Sequence, residues 1–179
     1  MISKILKNIL LFFVLIFLQV FVFNHFYLSS FITPYIYLLF IIQLPFETPK
    51  WLLITLAFLT GLLLDIFSNS MGVHIIATVI VAYFRKNIYG LLFTTKDIDE
   101  NVSPSIRDMG STWFIYYTIF MVSIHHFFLF ILEAFTFAHF SLIIVNIILS
   151  SIATSGLIII IHILIERTTT KNTKIAKKI

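Results

Sequence analysis

The chain has no cysteine and very little charge. Its 179 residues include 12 Lys and Arg and 8 Asp and Glu, with only 5 Gly and 4 Pro. Without cysteine there is no disulfide framework and no thiolate chemistry or thiolate metal site. Charged residues make up 11% of the chain and hydrophobic residues 60%, whereas a soluble domain is about a quarter charged and roughly half apolar. So few charges cannot cover a water-exposed surface. The scarce glycines form no phosphate-cradling loop. The thinly spread basic residues make no patch with interleaved aromatics, so nucleic acid is excluded as a partner. With mean hydropathy +1.06, the class is an all-α polytopic membrane protein.

Apolar runs and short polar breaks make up the rest of the chain. The runs predict six transmembrane helices over about 9–27, 28–44, 51–67, 73–92, 113–135 and 141–165, forming a single integral membrane domain. The first is too long for a cleaved signal and lacks a small-x-small site after it, so it reads as a retained span. The second is the weakest. Pro34 and Pro45 bracket Tyr35–Leu44, whose reach as a helix is only about 15 Å. It crosses only if a helix begins near Leu28 and kinks at Pro34; otherwise it is a half-span. Arg85-Lys86 reads as the stop of the fourth run, with 94–111 as a hydrophilic cytoplasmic loop and 166–179 as a basic cytoplasmic tail. With six crossings, all 12 Lys and Arg fall on the side that holds both termini. The positive-inside rule then predicts a multi-pass protein of the cytoplasmic membrane with both termini in the cytoplasm. Dropping the second span would break this partition, so the six-span layout is preferred.

The stretch Gly61–Arg85, GLLLDIFSNSMGVHIIATVIVAYFR, draws the most attention. It reads as a helical hairpin whose turn is Ser68-Asn69-Ser70 followed by Gly72. Asp65 lies inside the first arm, and a carboxylate in an apolar run needs an explanation. One reading is a proton or ion site, or an anchor for a partner. The other is a cap that hydrogen-bonds the turn. His25, His74, His125, His126, His139 and His162 show no HExxH or other metal-ligand spacing. Glu133 reads as an interfacial carboxylate. In the last run, Asn146, Ser150 and Thr154 recur every four residues and share a helix face. That face serves either packing inside the bundle or docking of another protein's helix; pore lining is a third option. No nucleophile–base pair or carboxylate pair is visible, and nothing implies a cofactor or metal.

The hairpin resembles the signature of the rod shape-determining MreD family. The matching positions are Gly61, Leu62 to Leu64, Asp65, Ser68, Ser70, Gly72, His74 and Tyr83, with a proline-led second helix at Pro34–Tyr37 upstream. The 94–111 loop is longer and more charged than that pattern. The resemblance implies a non-enzymatic inner-membrane subunit of the elongation machinery, in contact with membrane lipid. It would bind the bitopic protein MreC and help couple MreB filaments to the peptidoglycan synthases, RodA and its partner transpeptidase, and so to rod shape. It also implies a six-helix bundle similar to the S-components of energy-coupling-factor transporters. A small-solute binding subunit of such a transporter is the alternative. The sparse outer-side polar residues Asn24, His25, Asn69, His74 and His139 argue against a charged solute.

Overall fold

The computed structural model describes residues 2–25, 32–92, 103–134 and 140–176. Its regular elements are helices: α1 (Ile2–Phe21, followed by a 3-10 turn at Phe23–His25), α2 (Leu38–Gln43), α3 (Lys50–Ser68), α4 (Val73–Leu92), α5 (Ile106–Met109), α6 (Ser111–Ala134) and α7 (Phe140–Ala176). Five stretches are long and apolar enough to cross a membrane: Leu6–His25, Lys50–Ser68, Val73–Leu92, Ser111–Ala134 and Phe140–Glu166. The chain is a multi-pass, all-helical membrane protein. Large apolar side chains face outward, as lipid contact requires. On α1, Leu10, Phe13, Phe17 and Phe21 form such a stripe, while Leu15, Ile16, Gln19 and Val20 turn inward.

The predicted second span has a different form from the other five. Residues 33–37 are not helical, and α2 is only 6 residues long. Pro34 has no N–H and holds the preceding residue out of the helical region. Pro45 ends the helix in the same way, with Leu44 at ψ 141°. The run from Ile36 to Ile42 is buried on every side. It is the axis of the bundle, packed against α1, α3 and α6.

An irregular backbone is tolerated at membrane depth only where protein groups satisfy it. Here side chains do so. Gln19, fully buried on α1, accepts from Ile36 N–H through Oε1 at 2.8 Å and donates from Nε2 to the Pro34 carbonyl at 3.1 Å. Ser150 Oγ accepts from Thr33 N–H and Thr154 Oγ1 from Tyr35 N–H, both at 3.0 Å. At the other end, Gln43 meets His162 Nδ1. Ser150 and His162 are separated along α7 by about 18 Å at the helical rise. The 33–43 segment therefore runs beside α7 through much of the bundle's depth.

The remaining helices form a chain of neighbours, α3 against α4, α4 against α6 and α6 against α7. Pro49 precedes α3 in extended geometry, and Asn69 ends that helix in the left-handed region at φ 52°. Arg85 does not stop α4, which continues to Leu92. The side chain is buried and is not part of a solvated loop. Its guanidinium donates to the Leu44 carbonyl and to the Pro45 carbonyl at 3.3 Å, and its Nε donates to Tyr117 Oη at 2.9 Å. A cation at a helix C-terminus complements the helix dipole, so Arg85 caps α2. Of the 94–111 loop, residues 94–102 lie outside the described residues. The remainder contains α5, whose Ser105 cap accepts from Asp108 N–H at 3.1 Å.

Candidate functional site

The α3–α4 hairpin is held by one carboxylate. Asp65 is 5% exposed and its two oxygens take four donors. Oδ1 accepts from Ser70 Oγ at 2.5 Å, from His74 N–H at 3.1 Å and from His74 Nδ1 at 3.0 Å; Oδ2 accepts from Ile75 N–H at 3.0 Å. The first amides of a helix have no partner within it. Asp65 supplies those of α4 from the neighbouring helix, where the dipole also favours an anion. Its own carbonyl accepts from Ser70 N–H at 3.0 Å and from Asn69 N–H, so side chain and main chain close the same turn.

Glycine is required at two places for different reasons. Gly72 sits at φ 84° with open space around it, so only its backbone freedom matters. At Gly61 the reason is proximity: an added Cβ would lie 2.5 Å from Ile75 Cα and 2.7 Å from Ile75 N. The two helices touch backbone to backbone there. Gly61→Ala is expected to push α3 and α4 apart and destabilise the fold by about 1–3 kcal/mol, read as earlier heat-induced loss of the monodisperse peak in detergent. An unchanged profile would mean the crossing is loose.

The other motif residues are distributed around this clasp. Ser68 Oγ accepts from Asn24 Nδ2 at 3.0 Å, and Asn24 Oδ1 accepts from Gln19 Nε2 at 3.0 Å, which ties the turn to the end of α1. Tyr83 lies on the outer surface, with Lys50 Nζ 3.8 Å from its ring centroid, and so joins the hairpin at its open end.

Ser70, His74 and Asp65 are the residue types of a nucleophilic triad, but they are not wired as one. In a triad the serine meets one imidazole nitrogen and the carboxylate the other. Here Ser70 Oγ lies 3.1 Å from His74 Nδ1, the same nitrogen that faces Asp65, and the hydroxyl donates directly to the carboxylate. The arrangement is that of a cap.

Behind His74 the bundle contains a seam of buried aromatic and imidazole rings. The Tyr35 ring centroid lies 5.5 Å from that of His74, 6.0 Å from His125 and 5.4 Å from His126. Tyr37 Oη and His125 Nε2 are 2.6 Å apart. His126 Nδ1 lies 2.9 Å from the Val122 carbonyl, an acceptor, so Nδ1 donates. Nε2 is then free to accept from Thr154 Oγ1 at 3.1 Å. Thr154 thus links Tyr35 N–H to His126. Among the described residues no cluster of His, Cys, Asp or Glu is placed to hold a metal. His25 is exposed, and His139 lies outside the described residues.

On the face of Asn146, Ser150 and Thr154, the two hydroxyl residues turn into the bundle. Ser150 and Thr154 are fully buried and hold the backbone that leads into α2; Asn146 is half-buried. The chain's own Thr33 and Tyr35 amides take up Ser150 and Thr154. Gln19, Arg85 and Tyr37 add to the polar interior. Gln19 and Tyr37 could have been suspected as isolated polar groups in apolar runs.

At the far end His162 Nε2 lies 3.0 Å from Glu166 Oε1, and the pair faces the first amides of α5, with Ile106 N 3.2 Å from His162 Nε2 and Arg107 N 3.3 Å from Glu166 Oε1. This anchors the end of the 94–111 loop to α7. No family model matches the chain, and no curated protein or solved structure matches it.

Proposed function

We propose that this protein is a non-enzymatic scaffold subunit of the bacterial elongation machinery, similar to the MreD family, which binds an MreC-like bitopic protein within the cytoplasmic membrane. The observation that carries this reading is the hairpin clasp. Gly61, Asp65, Ser70, Gly72 and His74, five of the residues on which the resemblance rests, act together to join α3 and α4 into one unit. A protein that works by presenting a fixed shape needs such a unit. The solute-binding alternative is weakened because two of its outer-side polar groups are already engaged, Asn24 with Ser68 and His74 with Asp65. Tagged full-length protein, extracted in mild detergent, should co-purify with an MreC-like protein, and its depletion should round the cells. Absence of any MreC-like protein, together with a co-purifying vitamin, would overturn the reading.

The proposed topology has six crossings and both termini in the cytoplasm, and the fold is proposed to be similar to that of the S-components. The passage of 33–43 alongside α7 supports counting the second segment as a crossing, as does the one-sided distribution of Lys and Arg. Cysteine labelling is simple in a cysteine-free chain. Met71, which is 90% exposed at the turn, should as Met71→Cys react with a membrane-impermeant maleimide in intact spheroplasts. Thr169→Cys should react only after permeabilisation. The opposite pattern would invert the topology.

A further inference from the structure

His162 joins four helices at one imidazole. It projects from α7 and is 3% exposed. Gln43, the last residue of α2, meets Nδ1. The Phe114 ring of α6 stacks on the imidazole, with 4.1 Å between centroids and 19° between planes. Nε2 faces two groups at once, the Ile106 N–H of α5 at 3.2 Å and Glu166 Oε1 at 3.0 Å. These two make opposite demands. The amide is a donor in every protonation state and needs a lone pair on Nε2. An ionised carboxylate is an acceptor and needs a proton there. One ring nitrogen cannot serve both, so the contact has two arrangements. With the imidazole proton on Nδ1 alone, Nε2 accepts from Ile106 N–H and α5 is held. With both nitrogens protonated, Nε2 donates to Glu166 in an ion pair, and Ile106 N–H loses its acceptor. Gln43 suits both arrangements, because its amide oxygen can accept from Nδ1–H in each.

We propose that His162 is a proton-operated latch on α5, closed when Nε2 is bare and opened when Nε2 takes a proton and pairs with Glu166. The proton arrives through Glu166, whose side chain is 24% exposed and already within hydrogen-bond distance of the buried nitrogen. Imidazole is the side chain whose charge ordinarily changes near neutral pH. Glu166 is the charged group that faces the ring; Gln43 from α2 and Phe114 from α6 do not titrate. On α5, Arg107 and Asp108 follow the latched amide, and the Asp108 carboxylate accepts from Ser105 Oγ at 2.8 Å. The remaining attachments of α5 do not depend on the ring. The Ile106 side chain packs against the core, and the Gly110 carbonyl accepts from Phe114 N–H at 3.1 Å. Opening is therefore local to the first turn of α5. The latch is independent of the scaffold reading and of which side of the membrane α5 occupies.

The test is hydrogen–deuterium exchange of the full-length chain in lipid nanodiscs. Mass spectrometry with electron-transfer fragmentation resolves the Ile106 amide, and rates are corrected for the chemical pH dependence of amide exchange. Between about pH 8 and about pH 5, Ile106 N–H is expected to lose protection about tenfold, while the amides of α6 keep theirs. His162→Gln offers an acceptor that takes no proton, so the exchange of Ile106 should no longer change with pH. Glu166→Ala removes the partner of the imidazolium, so the midpoint of the change should fall by about one pH unit. Glu166 is partly exposed, so this variant decides the matter even if His162→Gln fails to fold. Protection of Ile106 that is constant with pH in the wild type, or that changes equally in His162→Gln, would overturn the latch. So would a midpoint unmoved in Glu166→Ala, or exchange that rises through α6 at the same pH, since that is unfolding and not release.

Discussion

Asp65→Ala is expected to release the α3–α4 hairpin and sharply lower the amount of folded protein in the membrane. It removes one acceptor from four donors at once: the amides of His74 and Ile75, the Ser70 hydroxyl and His74 Nδ1. Loss of a cap costs about 0.5–2 kcal/mol, and each buried donor left unsatisfied adds about 1–3 kcal/mol. The total is on the order of 3 kcal/mol or more, a large part of a typical stability. Asp65→Asn keeps one oxygen and most of the shape. It can serve the donors at Oδ1 while its amide faces Ile75 N–H, so the defect should be about half as large. Immunoblots of membrane fractions and heat-induced aggregation in detergent would rank wild type above Asn above Ala. An Asn variant with normal abundance and stability but no function would show instead that the charge itself is used.

Gln19→Leu should be comparably severe, although the side chain touches no motif residue of the hairpin directly. Its amide serves Ile36 N–H and the Pro34 carbonyl in a stretch with no helical partners of its own. Leucine has similar volume and leaves both groups unpaired in a water-free interior, at about 1–3 kcal/mol each. Limited proteolysis of the purified protein should then cut near Pro34, where the wild type resists. If the Leu variant is as resistant as wild type, 33–37 is held by α7 alone through Ser150 and Thr154. Gln19→Glu offers a second check. It keeps an acceptor for Ile36 N–H but sets a carboxylate against the Pro34 carbonyl, so it should rescue only part of the loss.

These two residues show what the sequence could and could not reveal. Asp65 was legible because a carboxylate after three leucines and before a Ser- and Gly-rich turn is unusual, and because its main partners lie within ten positions. Gln19 stands alone in an apolar run, and its partners depend on how α2 is laid against α1, which no local pattern encodes. Ser150 and Thr154 fall between these cases. Their four-residue period revealed a polar face, but not that the chain's own Thr33 and Tyr35 occupy it. Arg85 misled for a physical reason. Beside Lys86 it reads as a stop at the membrane surface, whereas the exposed carbonyls at the end of α2 draw it into the core. Composition identified the five long helices readily, since burial in lipid needs little more than length and apolarity. The second run resisted because two prolines prevent it from satisfying its own backbone.

That dependence has a consequence for how the protein is made. The N–H groups of Thr33 and Tyr35 donate to side-chain acceptors 117 and 119 positions later. When the ribosome has finished α1 and the Pro34 segment, Ser150 and Thr154 do not yet exist. The exposed amides cannot rest in lipid during that interval. The segment must wait at the insertion machinery or at the aqueous surface until α6 and α7 emerge, and then slide into the gap between them and α1. Nascent chains halted after α4 should therefore lack a settled 33–43 segment, and the synthesis of α7 completes its packing.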